Sequence, residues 1–336
     1  MASFALLCLV MARATALDAA LGTTIDANFA AAPATEQDNA APSTEDPSLI
    51  GQNAAVEPLT IIMAATRNSS RLSRMRRMCR HFGYCCLLLG NSNGTKWQGY
   101  QWMKDRLYIP QLERMPPTSL AVMMDAEDVI MQAGPASAVR EYRSLTRDTS
   151  RTIVLSLESG CPSKHGVCAD LGGGSSDKPG LNGIPGLQHA NGGFVMGPVG
   201  SLLSLWRSVG KADPQIAIGQ FAAAHPELVA LDERQRLVAT IVNDGGRTRE
   251  IHDHFEVSTI KVRGRTVQQL RNRHTKSTPC FMHLPGTDSN KIPPQLRPGR
   301  LMPFNQATGI IDRATAADTA AHRGLCTPKN FVDPVI

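Results

Sequence analysis

Strand-like apolar runs alternate with helix-like segments from Pro58 onward, and this alternation constrains the fold more than any other feature. The pattern predicts buried strands at 59–66, 84–90, 119–125 and 152–158, with amphipathic helices at 69–83, 98–114 and 134–145. Strands and helices that alternate at this spacing form right-handed crossovers. The sequence therefore predicts an α/β fold with a mostly parallel, Rossmann-like sheet and helices on both faces.

Further along the chain, a Gly- and Pro-rich stretch at 159–190 is typical of a long surface loop. It is followed by a glycine-led strand at 191–197 and by helices at 198–209 and 227–243. Beyond about residue 290 the chain is rich in Pro and polar residues, which indicates a C-terminal tail at 291–336.

Three acids lie at the end of the predicted strand at 119–125: Asp125 is its last residue, and Glu127 and Asp128 follow it. In open α/β sheets, ligands bind beyond the carboxyl ends of the strands, so these acids are expected at the ligand-facing edge. Closely placed carboxylates repel one another and lose hydration, unless a cation, amide donors or open solvent compensates.

Asp125 and Asp128 are spaced i, i+3, and their carboxylates converge if the chain turns helically after Met124. A divalent cation would then relieve the repulsion, although acids that begin a helix are an equally physical explanation. A second apolar run ends in His283. Two carboxylates and an imidazole suit manganese or magnesium, but a lone histidine at a strand end is also a common structural residue.

The first 16 residues resemble a secretory signal peptide, with an apolar stretch at 4–12 and a small-x-small site at 14–16. We expect the mature protein in the lumen of the endoplasmic reticulum or Golgi, or outside the cell, with no membrane span after cleavage. Residues 17–57 contain seven acids and no Lys or Arg, which predicts a disordered acidic linker. Cys161 and Cys168 flank a short polar loop and are expected to form a disulfide.

Residues 58–336 hold 34 basic and 22 acidic residues, a net charge of +12. Such a surface favours an anionic ligand, such as a nucleotide diphosphate or an acidic polymer, although it is also compatible with a merely soluble basic protein. Aromatic residues make up only 5% of the chain. Nucleic-acid binding is therefore not expected, because it needs aromatic residues among the basic ones.

Several short motifs follow one another along residues 59 to 290. In order, these are Ala65-Thr66, then Leu89-Gly90 with Trp97 and Lys104, Asp125 to Val129 before Gly134-Pro135, Glu158 with Cys161-Pro162, Asn191 to Gly197, Asp232-Glu233 with Gln235, and His283 with Gly286. This order resembles the GT-A type glycosyltransferase domain of the procollagen lysyl hydroxylases, a family related to collagen glycosyltransferases. The resemblance implies a GT-A domain over 58–290.

The resemblance implies that Asp125, Asp128 and His283 hold a manganese ion, or magnesium, that binds the diphosphate of a UDP-sugar. Donor contacts are implied for Thr66, Leu89, Gly90, Trp97, Lys104, Asn191 and Gly192. Asp232 or Glu233 is implied as the catalytic acid that orients the sugar or the acceptor.

The resulting hypothesis is a transferase that moves glucose or galactose from UDP to a hydroxyl of a protein or glycan, with hydroxylysine of a collagen-like protein as a candidate acceptor. The alternative is a secreted protein that binds a sugar nucleotide or a glycan with the same fold but without turnover. Leu284-Pro285, where the family has Gly-Asn, is the main argument for this alternative.

Overall fold

A mixed six-stranded sheet forms the centre of the protein in a computed structural model that describes residues 59–90, 95–147, 149–158, 189–210, 213–241, 254–262 and 265–285. The predicted signal peptide, acidic linker and C-terminal tail lie outside the described residues, as does the expected Cys161–Cys168 pair.

The strands are β1 (Thr60–Ala64), β2 (Cys85–Leu89), β3 (Leu120–Met124), β4 (Val129–Met131), β5 (Ile153–Glu158), β6 (His189–Pro198), β7 (Val229–Leu231), β8 (Val238–Thr240), β9 (Phe255–Val262), β10 (Arg265–Asn272) and β11 (Phe281–His283). The α-helices are α1 (Ser70–Phe82), α2 (Tyr100–Met103), α3 (Ile109–Glu113), α4 (Pro135–Thr146), α5 (Val199–Ser208) and α6 (Pro214–Ala224). A π-helical segment, Lys104–Tyr108, joins α2 to α3.

The central sheet has the strand order β2-β1-β3-β6-β5-β7. Strand β6 is antiparallel to both β3 and β5, whereas the other neighbouring pairs are parallel. Five of the six strands therefore run in the same direction, and their carboxyl ends share one edge. The mostly parallel sheet predicted from the sequence is confirmed.

Helices cover both faces of this sheet. On one face, Ile61 and Met63 pack with residues of α1 and α4; on the other, Ile62 packs with residues of α5 and α6. This alternation follows from the two-residue period of a strand. Each such apolar side chain contributes about 1.5–3 kcal/mol when fully buried, so both faces of the sheet contribute to the core.

A smaller sheet has the order β4-β11-β8. Strand β11 is antiparallel to β4 and parallel to β8, and its register places His283 opposite Val129. This pairing brings the end of β11 next to Asp128, although the two lie more than 150 positions apart in the sequence.

Helix α1 begins and ends where the sequence predicts. The Ser69 side chain accepts a hydrogen bond from the Leu72 amide, and Gly83 ends the helix in the left-handed conformation with φ of 76°. A disulfide joins Cys79 of α1 to Cys86 of β2, a pairing that the sequence analysis did not anticipate. Cys85 is disulfide-bonded as well.

The prediction of a helix at 227–243 is wrong, because this segment forms β7, a tight turn and β8. Strand β8 pairs with β11, and Val229 and Val238 are buried in the strands. Such branched side chains favour a pleated, half-buried surface over a helix. Among the described residues, every helix is too short or too polar to cross a membrane.

Candidate metal centre

Asp125 and Asp128 lie in the loop between β3 and β4, at the edge of the central sheet where the carboxyl ends of its parallel strands meet. The Asp125 amide donates a hydrogen bond of 3.0 Å to the Gly193 carbonyl at the start of β6. The Asp125 side chain is 55% exposed, whereas that of Asp128 is 19% exposed. The loop therefore presents one carboxylate to solvent and holds the other near the core.

His283 joins this pair at the end of β11. The Leu284 amide donates to the Asp128 carbonyl at 2.9 Å, which fixes the two chains side by side. The Nε2 atom of His283 lies 3.2 Å from Asp125 Oδ2 and 3.7 Å from Asp128 Oδ1. One ligand atom from each residue lies within 4.8 Å of the others, so the three side chains can surround a single ion.

The buried atoms of this cluster fit a cation. His283 is only 1% exposed, and its Nε2 lies at ion-pair distance from Asp125. Among the described residues, neither ring nitrogen makes a hydrogen bond of regular geometry, and neither does Asp128 Oδ1. Each unsatisfied buried polar group costs about 1–3 kcal/mol. Two carboxylates and an imidazole match manganese or magnesium, and a bound cation would satisfy these atoms together.

Asp128 and His283 hold their protons more tightly than usual. Burial, followed by the nearby Asp125 carboxylate, raises the pKa of Asp128 to about 6. Burial alone would lower the pKa of His283. The nearby carboxylates of Asp125, Asp128 and Glu158 together raise this pKa by more than burial lowers it, so the net shift is upward. A divalent cation would relieve the same repulsion by displacing these protons.

Glu127, the third acid of the loop, is turned away from the cluster. Its carboxylate accepts a 2.8 Å hydrogen bond from the Ser69 hydroxyl, and its carbonyl accepts one of 3.1 Å from Arg74. Arg67 lies 3.9 Å from the other carboxylate oxygen. Glu127 therefore ties the loop to the start of α1 instead of adding a ligand.

Gly193 makes room for the cluster. A Cβ added at this position would overlap the His283 ring, lying 2.6 Å from Nε2, and would lie 2.7 Å from Asp125 Oδ2. Real Cβ atoms do not approach other atoms this closely, so a side chain at 193 displaces the ligands. The resemblance implied donor contacts at Asn191 and Gly192, and the sequence carried no expectation for the contact of Gly193 with the metal ligands.

Asn191 instead positions Gly193 through a buried network. Its side-chain amide donates to Glu158 Oε2 at 3.0 Å, and its side-chain oxygen accepts from the Gly193 amide at 2.8 Å. The side chain of Gln215 donates to the other oxygen of Glu158. Glu158 lies at the end of β5 and is 2% exposed. Through these two hydrogen bonds, its carboxylate connects β6 to the start of α6.

A pocket of about 210 Å³ opens beside Asp125. It is lined by Tyr100, Met103, Tyr108, Met123, Met124, Asp125, Gly192, Gly193, Trp206, Asp213, Pro214, Gln215 and Ile216. None of these described residues is a Lys or Arg. Aromatic surfaces with a few carboxylates and amides suit a small ligand rich in hydroxyl groups.

The residues implied as donor contacts fall into three groups. Thr66, Leu89 and Gly90 lie at the carboxyl ends of β1 and β2, on the same sheet edge as the cluster, and Gly192 lines the pocket. Trp97 is 47% exposed, and its ring lies 5.4 Å from that of Tyr100 at the pocket.

Lys104, the remaining residue implied as a donor contact, belongs to none of these groups. It is buried, and its Nζ donates to the Val209 carbonyl at 2.7 Å, which directs its charge to the end of α5.

The structure gives Asp232 a structural role instead of the catalytic one that was expected. Its fully buried carboxylate accepts hydrogen bonds from the amides of Arg236, Leu237 and Val238, at 2.7–3.0 Å. Burial raises the pKa of Asp232 to about 6, although these amides lower it. Asp232 therefore holds the turn between β7 and β8. Glu233 lines a separate depression with Arg151.

Asp213 is the acid that the sequence analysis missed. It lies at the start of α6, where its side chain accepts a hydrogen bond from the Gln215 amide, and it lines the pocket together with Gln215. The family's acidic motif is Asp-Asp-Gln, which Asp213-Pro214-Gln215 matches in its first and third residues. Asp232-Glu233-Arg234-Gln235 has one residue too many between the first acid and Gln. This difference in spacing was the signal in the sequence that pointed to Asp213.

The chain matches no protein-family model and no curated protein, so the resemblance to the procollagen lysyl hydroxylases stays a prediction. Its fold is similar to that of a glycosyltransferase involved in glycosylation of the major capsid of PBCV-1, with 13% identity and a TM-score of 0.42, over 70% of this chain and 97% of that one. It is also similar to mouse xyloside xylosyltransferase 1, with 12% identity and a TM-score of 0.40, over 70% of this chain and 99% of that one.

Proposed function

We propose that this protein is a metal-dependent glycosyltransferase that moves glucose or galactose from a UDP-sugar to a hydroxyl group of a protein or glycan. The observation that carries the proposal is the buried His283 ring, whose Nε2 lies 3.2 Å from the carboxylate of Asp125 and 3.7 Å from that of Asp128, beside a pocket that Asp125 lines. Manganese is the proposed ion, with magnesium as the alternative. The sequence resemblance supplies the donor class.

Asp125, Asp128 and His283 would hold the cation at the mouth of the pocket. When bound, a divalent cation supplies Lewis acidity that neutralises the diphosphate as the glycosidic bond breaks. This contribution is essential here because no Lys or Arg is among the described residues that line the pocket. Without the ion, the carboxylates of Asp125 and Asp213 would repel the diphosphate.

The remaining pocket residues would bind and orient the two substrates. Asp213 replaces Asp232 as the proposed acid that accepts a hydrogen bond from a sugar or acceptor hydroxyl. Tyr100, which is 53% exposed, offers aromatic surface for a sugar ring. In the reaction, the bond from the sugar to the diphosphate breaks and UDP leaves with its electron pair. The acceptor oxygen bonds to the sugar, and its proton passes to a base, either the Asp213 carboxylate or a phosphate oxygen of the departing UDP.

Release of UDP from UDP-glucose and UDP-galactose tests this function, in the presence of manganese and a set of hydroxyl acceptors. We expect release by the unmodified protein, loss of release with a chelator, and a loss of at least about 100-fold in Asp125→Asn/Asp128→Asn. Glu127→Gln is the matched control, because this acid lies in the same loop but faces Ser69; it should keep most of the activity.

Two outcomes would overturn the proposal. Release that is unchanged in the double variant would remove the metal mechanism. Metal-dependent binding of UDP without release from any donor would instead support the alternative, a sugar-nucleotide-binding protein without turnover.

We also propose that the protein functions in the secretory pathway or outside the cell. The signal-like residues 1–16 support this, as does the Cys79–Cys86 disulfide, because disulfides persist mainly in oxidising compartments. In eukaryotic cells, a tagged full-length protein should appear in the secretory fractions with Cys79 and Cys86 oxidised. A reduced protein in the cytosol would contradict this location.

A further inference from the structure

Helix α1 carries an unusual concentration of positive charge. This 13-residue helix contains no Asp or Glu but five arginines: Arg71, Arg74, Arg76, Arg77 and Arg80. Leu72, Met75, Met78 and Cys79 form its buried side. Arg76, Arg77 and Arg80 are exposed on the opposite side, and we call these three residues the arginine face.

The arginine face works against the stability of its own helix. Arg76 and Arg80 are spaced i, i+4, and Arg77 and Arg80 are spaced i, i+3. Like charges at these spacings destabilise a helix. The pKa of Arg74, on the same helix, is lowered by burial and then by the charges of Arg71 and Arg77, so like charges also repel one another at this neighbouring position. Of the three, Arg80 lies in the last turn of the helix, where a positive charge is favourable.

The surroundings of the arginine face indicate binding by charge alone. Among the described residues, the exposed large hydrophobic side chains are Trp97 and Tyr100, and neither lies on α1. A folded protein partner needs apolar or aromatic anchors at the centre of its interface. A single-stranded nucleic acid needs aromatic side chains on which its bases stack. A flexible polymer of high charge density needs neither.

We propose that the arginine face is a binding site for a linear sulfated polysaccharide. Arginine guanidinium groups present a planar fork of donors that matches a tetrahedral oxyanion with two parallel hydrogen bonds. Arg76 and Arg80 are one helical turn apart, about 6 Å along the axis, so successive sulfate groups of one chain can contact both. A sulfated chain carries more charge per unit length than an acidic peptide and gains more from the release of its counterions.

This site is separate from the metal centre. Arg74 contacts the metal-binding loop through the Glu127 carbonyl, whereas the arginine face occupies the half of α1 that ends at Gly83. The proposal therefore does not depend on the glycosyl-transfer reaction, and its test needs no enzymatic activity.

A heparin dodecasaccharide is the probe for this site, titrated against the full-length protein at about 0.15 M NaCl, near physiological ionic strength. We expect Arg76→Ser/Arg77→Ser/Arg80→Ser to weaken binding about tenfold or more and to reduce the dependence of affinity on salt. The matched control is Arg106→Ser/Arg114→Ser/Arg147→Ser, which removes three exposed arginines from other elements. Because its net charge is the same, it should change affinity by less than about threefold.

The proposal is overturned if the unmodified protein does not bind heparin, or if both triple variants lose affinity equally, since net charge alone would then explain binding. Poly-glutamate or single-stranded DNA of matched charge that binds as tightly as heparin would also overturn it in favour of an acidic peptide or a nucleic acid. Unchanged circular dichroism of the arginine-face variant shows that loss of binding is not loss of folding.

Discussion

At the scale of single residues, Gly193 decides whether the ligands of the metal centre can meet. The His283 ring and the Asp125 carboxylate occupy the space into which any side chain at 193 would project. Glycine is therefore needed here for close approach of the backbone and not for a turn. The motif Asn191-Gly192-Gly193 is visible in the sequence. Which of its two glycines faces the ligands depends on the register between β3 and β6, which the sequence alone does not give.

Gly193→Ala should weaken manganese binding about tenfold or more, because the new Cβ would overlap the His283 ring and force His283 or Asp125 out of its place. Manganese affinity measured by isothermal titration calorimetry checks this. Gly210→Ala is the control, since a Cβ at 210 meets no atom within 4 Å. An alanine at 193 that leaves the affinity unchanged would show that the cluster does not bind the ion as inferred.

At the scale of elements, the disulfide between Cys79 and Cys86 fastens the end of α1 to β2. It closes a short loop with a sequence separation of 7. In the chain-entropy account, such a crosslink stabilises the fold mainly by restricting the unfolded chain. The Gly83 turn and the crosslink together fix the path of the chain between helix and strand.

Cys79→Ser/Cys86→Ser should lower the free energy of unfolding by about 2 kcal/mol, as expected from this loop length. Urea denaturation of the oxidised protein and the double variant measures the difference. Equal midpoints and slopes for the two proteins would mean that the crosslink contributes nothing to stability.

Most of the elements could be predicted from the sequence because their apolar periods are unambiguous. The runs at 59–66, 84–90, 119–125 and 152–158 each contain a strand of the central sheet. The segment at 227–243 could not be assigned correctly, since its apolar residues are compatible with a helix until β8 pairs with β11. Pairing between distant strands is not encoded in any local pattern.

The candidate site divides in the same way. Asp125 and Asp128 could be identified locally, because they follow a buried strand at close spacing. The sequence could only suggest that His283 joins them; the register of β11 against β4 brings it there. Asp213 was missed because its place beside the pocket depends on how α6 packs against β6 and on the contact between Gln215 and Glu158 at the end of β5.

At the scale of the whole molecule, metal binding should depend on pH. Burial and the Asp125 charge raise the pKa of Asp128 to about 6, so a proton and a cation compete for the same carboxylate. Below that pH the protonated form prevails and the cation must displace the proton; above it the carboxylate is already ionised. The fold should accordingly be stabilised by manganese at neutral pH and less so in acid.

We expect manganese affinity to fall by at least about tenfold between pH 7.5 and pH 5, because only about a tenth of a group with a pKa near 6 is ionised at pH 5. His283, whose pKa is also raised, must lose its proton as well and adds to the fall. Calorimetric titrations in buffers of matched ionic strength measure this change. An affinity that stays constant over this range would argue against Asp128 as a ligand.

The central claim is that Asp125, Asp128 and His283 hold one divalent cation. Electron paramagnetic resonance of free manganese during titration of the full-length protein tests it most directly, because it needs neither donor nor acceptor. We predict one site per chain in the unmodified protein and in Glu127→Gln, with no saturable site in Asp125→Asn/Asp128→Asn or in His283→Ala. Undiminished binding by the double aspartate variant would contradict the account.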